Sequence, residues 1–182
     1  MPTWFHTYLQ DAESVTDEAI ESFIRSEEKD ACSLAKDNGE YWFKSRNESD
    51  WVLVTPNGFQ SIDEKYAESC RRMSQHFGCS VVMTMGQGNC SGMVFAVFED
   101  GIILRYVAAV DGMLYANDGE PYDWEVEVFG DLGDQEVAIS ELTLSSVADR
   151  LGLPGYESVV DGDGYWAVER KIRLSSPPPF PK

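Results

Sequence analysis

The alternation of apolar and polar positions is most regular between residues 61 and 77, where it predicts an amphipathic helix. Ser61 and Glu64 have the S-x-x-E spacing of a capping box, whose side chains satisfy backbone donors of the first turn. Gly78 follows directly and is the residue type that most readily ends a helix in a left-handed conformation. The apolar residues recur at spacings of four, four, three and four, which places them on one helical stripe: Ile62, Tyr66, Cys70, Met73 and Phe77.

Three apolar segments after this helix predict an antiparallel meander of strands. They are Cys79–Met85, Gly92–Phe98 and Ile102–Val110. Asp100-Gly101 predicts a tight hairpin, because a type I′ turn needs positive φ at both central residues. Gly92–Phe98 is apolar at nearly every position, which is typical of a central strand covered on both faces.

Weaker patterns complete the predicted fold. Trp124–Phe129 alternates apolar residues with Glu125 and Glu127 and predicts a strand at the edge of the sheet. Glu141–Leu151 has helical periodicity and ends at Gly152. Further elements are a strand within residues 1–10, a short helix around Ile20, a hairpin of Glu40–Lys44 with Trp51–Thr55, and a last strand at Tyr165–Ile172. The expected fold class is α+β: a mainly antiparallel sheet, with a helix followed by a three-strand meander, and two or three amphipathic helices packed on it.

Length and composition fit one domain. The chain has 182 residues and is 43% hydrophobic, which suffices for a core. Residues 1–174 are expected to form a single acidic domain, and the Pro-rich residues 175–182 an extended tail. The first residues show neither the basic nor the apolar part of a leader peptide, so a cytoplasmic location is expected.

The negative charge is concentrated in the second half of the chain. The formal net charge is −18, and residues 111–163 hold 14 acids against the single Arg150, a net −13. Binding to nucleic acid or to an anionic membrane is disfavoured, because both need clustered Lys and Arg. A basic protein partner would be attracted, although such charge also occurs for solubility alone.

No catalytic set is evident. His6 and His76 are the only histidines, so a nucleophile–histidine pair would have to use one of them, for example His76 with Cys79 or Cys90. His76 lies beside the predicted end of the helix, where a histidine normally faces solvent. The four cysteines are Cys32, Cys70, Cys79 and Cys90. They lack the close spacing of a zinc site and are expected to be free thiols. We therefore expect no catalytic residue, no cofactor and no metal.

Two glycine-rich segments resemble ligand loops only in part. Residues 86–91 lack the Lys and the following helix of a phosphate loop, so a turn is expected. Asp161-Gly162-Asp163-Gly164 lacks the later ligands of a calcium loop. A small enzyme or ligand-binding domain with its site near the 86–91 turn remains the alternative to a binding protein.

An acidic and aromatic segment after Gly112 is the strongest candidate for function. Aromatic side chains anchor many protein interfaces, and carboxylates steer a basic partner. The same aromatic residues could instead only cover the sheet. The predicted partner-binding residues are Tyr115, Asp118, Glu120, Tyr122, Asp123, Trp124, Glu125 and Glu127.

The order of elements between residues 61 and 155 resembles a group of small uncharacterised bacterial proteins. The segments that carry the resemblance are Cys79–Val82, Val94–Gly101, Leu104-Arg105-Tyr106 and Val147–Pro154. Proteins of this kind are often compared with the immunity proteins that accompany bacterial toxins. The resemblance implies a small α+β inhibitor and contains no catalytic motif.

The sequence thus predicts a non-enzymatic binding module, in the form of an immunity-type inhibitor that engages a basic partner such as a toxin. A structural or regulatory subunit is a further alternative.

Overall fold

An eight-stranded antiparallel sheet forms the centre of the computed structural model, which describes residues 3–10, 15–29, 40–45, 50–56, 64–87, 92–132, 141–153 and 168–173. The strand order is β7-β6-β5-β4-β1-β3-β2-β8, and every neighbouring pair is antiparallel. The predicted α+β class is confirmed. The strands are β1 (Thr3–Gln10), β2 (Glu40–Ser45), β3 (Trp51–Pro56), β4 (Val81–Gln87), β5 (Gly92–Glu99), β6 (Ile102–Val110), β7 (Met113–Gly119) and β8 (Val168–Arg173).

Helices cover the sheet on both faces. α1 (Asp17–Lys29) and α2 (Glu64–Phe77) lie on one face, and α3 (Glu125–Phe129) and α4 (Glu141–Leu151) lie on the other. The helical stripe predicted for α2 is confirmed for Tyr66, Cys70, Met73 and Phe77, which are all buried, while Ile62 lies outside the described residues.

Strand β5 explains why the sheet needs both helical layers. Val94, Ala96 and Phe98 pack toward α1 and α2, whereas Phe95 and Val97 pack toward α3 and α4. Successive side chains of a strand point to opposite faces, so an uninterrupted apolar strand is stable only when both faces are covered. The prediction of a central strand covered on both sides is confirmed.

The meander after α2 has four strands rather than the three that were predicted. Both residues of Asp100-Gly101 have positive φ, 49° and 77°, and so do both residues of Asp111-Gly112, at 51° and 76°. Each is therefore a tight turn that returns the chain into the next strand. The fourth strand is β7, which follows Asp111-Gly112 and pairs with β6.

The predicted strand at Trp124–Phe129 was also wrong. These residues contain the short helix α3, whose end at Gly130 has a φ of 80°. The backbone amide of Gly130 donates to the carbonyl of Val126 at 3.1 Å, closing a helical turn. A two-residue alternation over so short a segment does not distinguish one helical turn from a strand.

Several predictions lie outside the described residues: the Ser61 hydroxyl of the capping box, positions 88–91 of the glycine-rich turn, Asp161–Gly164, and the 175–182 tail. Among the helices that the structure describes, none has the length and apolar character needed to cross a membrane.

Candidate protein-interaction surface

A buried ion pair between Arg105 and Glu125 joins the sheet to helix α3. Both side chains are only 1% exposed. Arg105 Nε donates to Glu125 Oε1 at 2.8 Å, and Nη2 donates to Oε2 at 2.6 Å. This two-pronged geometry is the strongest form of carboxylate recognition by arginine. The pair fixes α3 against the face of the sheet.

The remaining donors of Arg105 hold the end of strand β7. Nη2 donates to Asn117 Oδ1 at 2.7 Å, and Nη1 donates to the carbonyl oxygens of Asp118 at 2.8 Å and Gly119 at 3.4 Å. All five N–H groups of the guanidinium therefore have acceptors, which is what burial of a charge requires. One arginine thus connects β6, β7 and α3.

The prediction for Glu125 was wrong. It was expected to face a partner from an exposed strand, but its carboxylate is buried. The carboxylate accepts hydrogen bonds from Arg105, and it also accepts one from the backbone N–H of Tyr122 at 3.2 Å. Glu127, two residues further along α3, is exposed and pairs with Arg150 of α4. The two carboxylates therefore do not share a face.

Aromatic side chains beside this ion pair form a cluster that is partly open to solvent. Tyr122 and Trp124 stack with ring centroids 5.4 Å apart and planes 6° from parallel, and both are half-buried. Beneath them lies the buried Phe95, at 6.4 Å from Tyr122 and 5.9 Å from Trp124, and Phe129 completes the cluster. Such ring pairs add about 0.5–1.5 kcal/mol beyond area burial, so these residues also stabilise α3.

Exposed carboxylates surround the aromatic pair. Glu120, Asp123 and Glu127 are exposed. Partial burial raises the pKa of Tyr122, and the negative charges of Glu125 and Glu99 raise it further. Glu99 is on the same face of β5 as Phe95, against which Tyr122 packs, so Glu99 lies on the side of the sheet that carries the aromatic pair. We call Glu99, Glu120, Tyr122, Asp123, Trp124 and Glu127 the acidic aromatic surface.

Two predicted residues on β7 are exposed but lie apart from that surface. Asp118 is opposite Tyr106, which packs toward α1 and α2, so Asp118 is on the other face of the sheet from Tyr122. Tyr115 is the extra residue of a β-bulge and is 72% exposed. Bulges at sheet edges commonly redirect a side chain. Of the eight predicted residues, five therefore belong to one surface.

Three exposed aliphatic residues at the start of β6 were missed by the sequence analysis, which predicted Ile102–Val110 only as a strand of the meander. Ile102, Ile103 and Leu104 are 63%, 45% and 39% exposed. They begin strand β6, directly after the Asp100-Gly101 turn. No sequence signal separates them from the buried part of β6, because both are apolar.

The histidines and cysteines are arranged for packing. His6 is 2% exposed, and its Nδ1 lies 3.3 Å from the hydroxyl of Tyr8. His76 is exposed and its ring contacts Phe23 and Phe77. Burial raises the pKa of the Cys79 thiol to about 11, which keeps it protonated near neutral pH and disfavours it as a nucleophile.

The two cysteines that the structure describes are in the interior. Cys70 and Cys79 are buried and form no disulfide with each other, and the Cys70 Sγ lies 3.6 Å from the Thr7 hydroxyl; Cys32 and Cys90 lie outside the described residues. Within the residues that the structure describes, no three His, Cys, Asp or Glu side chains are grouped closely enough to hold a metal ion.

His6 should make the stability of the protein depend on pH. Burial lowers its pKa from 6.5 to about 4, so the unfolded chain takes up a proton at a higher pH than the folded one. The contribution of neutral His6 is fully present above pH 6.5 and is lost progressively as the pH falls toward 4. From pH 7 to about 4.5 we expect a loss of about 2–3 kcal/mol from this residue in the free energy of unfolding.

Urea unfolding at both pH values checks this expectation. The variant His6→Gln should show a pH dependence smaller by that amount, and His76→Gln, which alters an exposed histidine, should behave as the wild type. An unchanged pH dependence in His6→Gln would show that the buried imidazole does not resist protonation.

Comparison of the chain with protein-family models, with curated proteins and with solved structures gives no match in any of the three. Its function is therefore argued from its own residues.

Proposed function

We propose that this protein is a non-enzymatic binding module that engages a basic protein partner through the acidic aromatic surface. The observation that carries the proposal is the stacked, half-buried pair of Tyr122 and Trp124, held among exposed carboxylates by the buried Arg105–Glu125 pair. Aromatic anchors in a fixed position, with a charged rim, are the arrangement that protein interfaces favour.

Rigidity supports this proposal. The carboxylate of Glu125 is fixed by Arg105, and the segment that carries Tyr122 and Trp124 is tied to it by the Tyr122 backbone hydrogen bond. A surface that is ordered before binding loses less conformational entropy when the partner arrives. This favours a specific interface over an acidic segment that serves solubility alone.

The charge defines the class of partner. No Lys or Arg occurs between residues 111 and 132, and seven acids do; Glu125 is paired with the buried Arg105 and Glu127 with the exposed Arg150. The potential of such a surface attracts a basic protein and speeds its association. An immunity-type inhibitor of a basic toxin is the form of this function that the sequence resemblance supports.

A matched pair of charge variants tests the proposal. Glu120→Gln with Asp123→Asn removes two charges from the acidic aromatic surface, and Glu18→Gln with Asp50→Asn removes two exposed charges of the same types elsewhere. In capture from extracts of the source cell at about 50 mM salt, we expect the first variant to retain the partner three- to tenfold less than the wild type, and the second to retain it equally.

Raising the salt to about 500 mM should remove most of the difference between the two variants, because exposed charges are screened at that concentration. Capture that ignores salt, or equal losses in both variants, would refute the electrostatic proposal.

A further inference from the structure

The exposed start of strand β6 adjoins the acidic aromatic surface. Ile102 is directly opposite Glu99 in the β5–β6 pair, and Glu99 is on the same face of β5 as Phe95, against which Tyr122 packs. Directly opposite residues of an antiparallel pair point to the same face. Ile102 is therefore on the side of the sheet that carries Tyr122 and Trp124. Ile103 is opposite Phe98, which packs toward α1 and α2, so Ile103 is on the other face. We call Ile102 and Leu104 the hairpin end.

Leu104 connects the hairpin end to the segment that leads into α3. In the β5–β6 register Phe98 pairs with Ile103, and Val97 pairs with Arg105. Leu104, between them, has no partner on β5 and is therefore a bulged residue. Its carbonyl oxygen lies only 2.0 Å from where a Cβ on Gly119 would be. The chain from Gly119 to Glu120 thus passes directly beside the hairpin end.

The exposure of the two aliphatic residues of the hairpin end is not explained by the fold. Asp100-Gly101 specifies the turn, and Thr at the following positions would favour a strand as well as Ile does. Neither the turn nor the strand therefore requires aliphatic side chains here. Single exposed apolar residues are common, but an apolar cluster with a polar rim marks an interaction site. Here the rim consists of Glu99, Asp100 and Glu120, all exposed.

We propose that the hairpin end is the apolar centre of the interface and binds an amphipathic basic segment of the partner. In such a segment, apolar side chains lie between Lys or Arg residues. This inference rests on the proposed function and specifies its partner. Charge complementarity selects the occupant: the rim repels a second copy of this acidic chain, and it repels nucleic acid and anionic membranes.

Two synthetic peptides of equal charge test the inference. One alternates Leu with Lys and the other alternates Ser with Lys, and binding of each to the full chain is measured by titration calorimetry at low salt. The wild type should bind the Leu peptide about tenfold more tightly than the Ser peptide, because only the Leu peptide can cover the hairpin end.

Ile102→Ser and, as a second variant, Ile102→Thr should reduce this preference at least about threefold while leaving the affinity for the Ser peptide unchanged. Met113→Ser is the matched control, since Met113 is 44% exposed at the opposite end of β7. The control should keep the full preference. Circular dichroism establishes that each variant is folded.

The outcomes separate the two proposals. If both peptides bind with salt-dependent affinity but the Ile variants keep the preference for Leu, the hairpin end is not the apolar centre and the proposed function stands. If neither peptide binds, both proposals fail for basic segments of this kind. If sedimentation shows a wild-type dimer that Ile102→Ser abolishes, the hairpin end binds a second copy and the inference is overturned.

Discussion

Replacing Glu125 with alanine is expected to lower the free energy of unfolding by about 3–5 kcal/mol, because it leaves the Arg105 guanidinium buried without its counter-charge. The two side chains are each 1% exposed, so water cannot readily replace the lost carboxylate. The variant also removes the acceptor for the Tyr122 backbone N–H. Urea unfolding monitored by tryptophan fluorescence measures the change.

Glu127→Ala is the control for this prediction. Glu127 lies in the same helix and also pairs with an arginine, but that pair is exposed, with side chains 66% and 47% accessible. Exposed pairs contribute up to about 1 kcal/mol, so this variant should be destabilised no further than that. Equal effects of the two substitutions would contradict the assignment of Glu125 as the buried anchor of α3.

A double substitution separates the cost of an unpaired charge from the value of the pair itself. Arg105→Met with Glu125→Leu removes both charges and keeps apolar side chains of similar length. Such replacements of buried pairs are often close to neutral. We expect the double variant to be more stable than Glu125→Ala. Because Arg105 also holds Asn117 and two carbonyls of β7, the double variant should not recover wild-type stability in full.

Gly119→Ala is expected to destabilise the protein by about 2–6 kcal/mol. A non-glycine residue at positive φ contributes about 1–3 kcal/mol of this, and the overpacking contributes about 1–3 kcal/mol. Gly119 has a φ of 86°, and a Cβ there would lie 2.0 Å from the carbonyl oxygen of Leu104. The obstacle is backbone within the paired strand β6, which cannot move aside without breaking its own hydrogen bonds. Thermal and urea unfolding measure the effect.

Gly78→Ala separates the two contributions to that effect. Gly78 has a φ of 60°, and no atom lies within 4 Å of the position that a Cβ would take. Only the conformational cost of about 1–2 kcal/mol should therefore appear. If Gly119→Ala were no worse than Gly78→Ala, the close approach of β7 to Leu104 would be absent in solution.

The elements that the sequence predicted well are those whose pattern is long. Helix α2 repeats its apolar stripe over four turns, and β5 is apolar along its whole length, so a single interpretation fits each. Strand β7 was missed because its residues, among them Asn117, Asp118 and Gly119, rarely favour strands. The Asp111-Gly112 turn, which repeats the chemistry of Asp100-Gly101, was the signal that another strand follows.

The candidate surface was predictable only in part. Its aromatic and acidic residues stand out in the sequence, but the burial of Glu125 depends on Arg105, twenty residues earlier and in another element. A lone arginine within an apolar strand was the available signal, since a charge in a core must have a partner. The exposure of Ile102 depends on which other elements cover it in the folded chain, and local pattern does not encode this.

The position of the interface is the central claim, and hydrogen–deuterium exchange of the complex with the captured partner tests it most directly. The structure predicts that binding slows exchange in residues 99–104 and 119–129 and leaves β2, β3 and α1 unchanged. Slower exchange confined to α1, α2 or the β2–β3 hairpin, with residues 119–129 unaffected, would place the partner elsewhere and contradict the proposal.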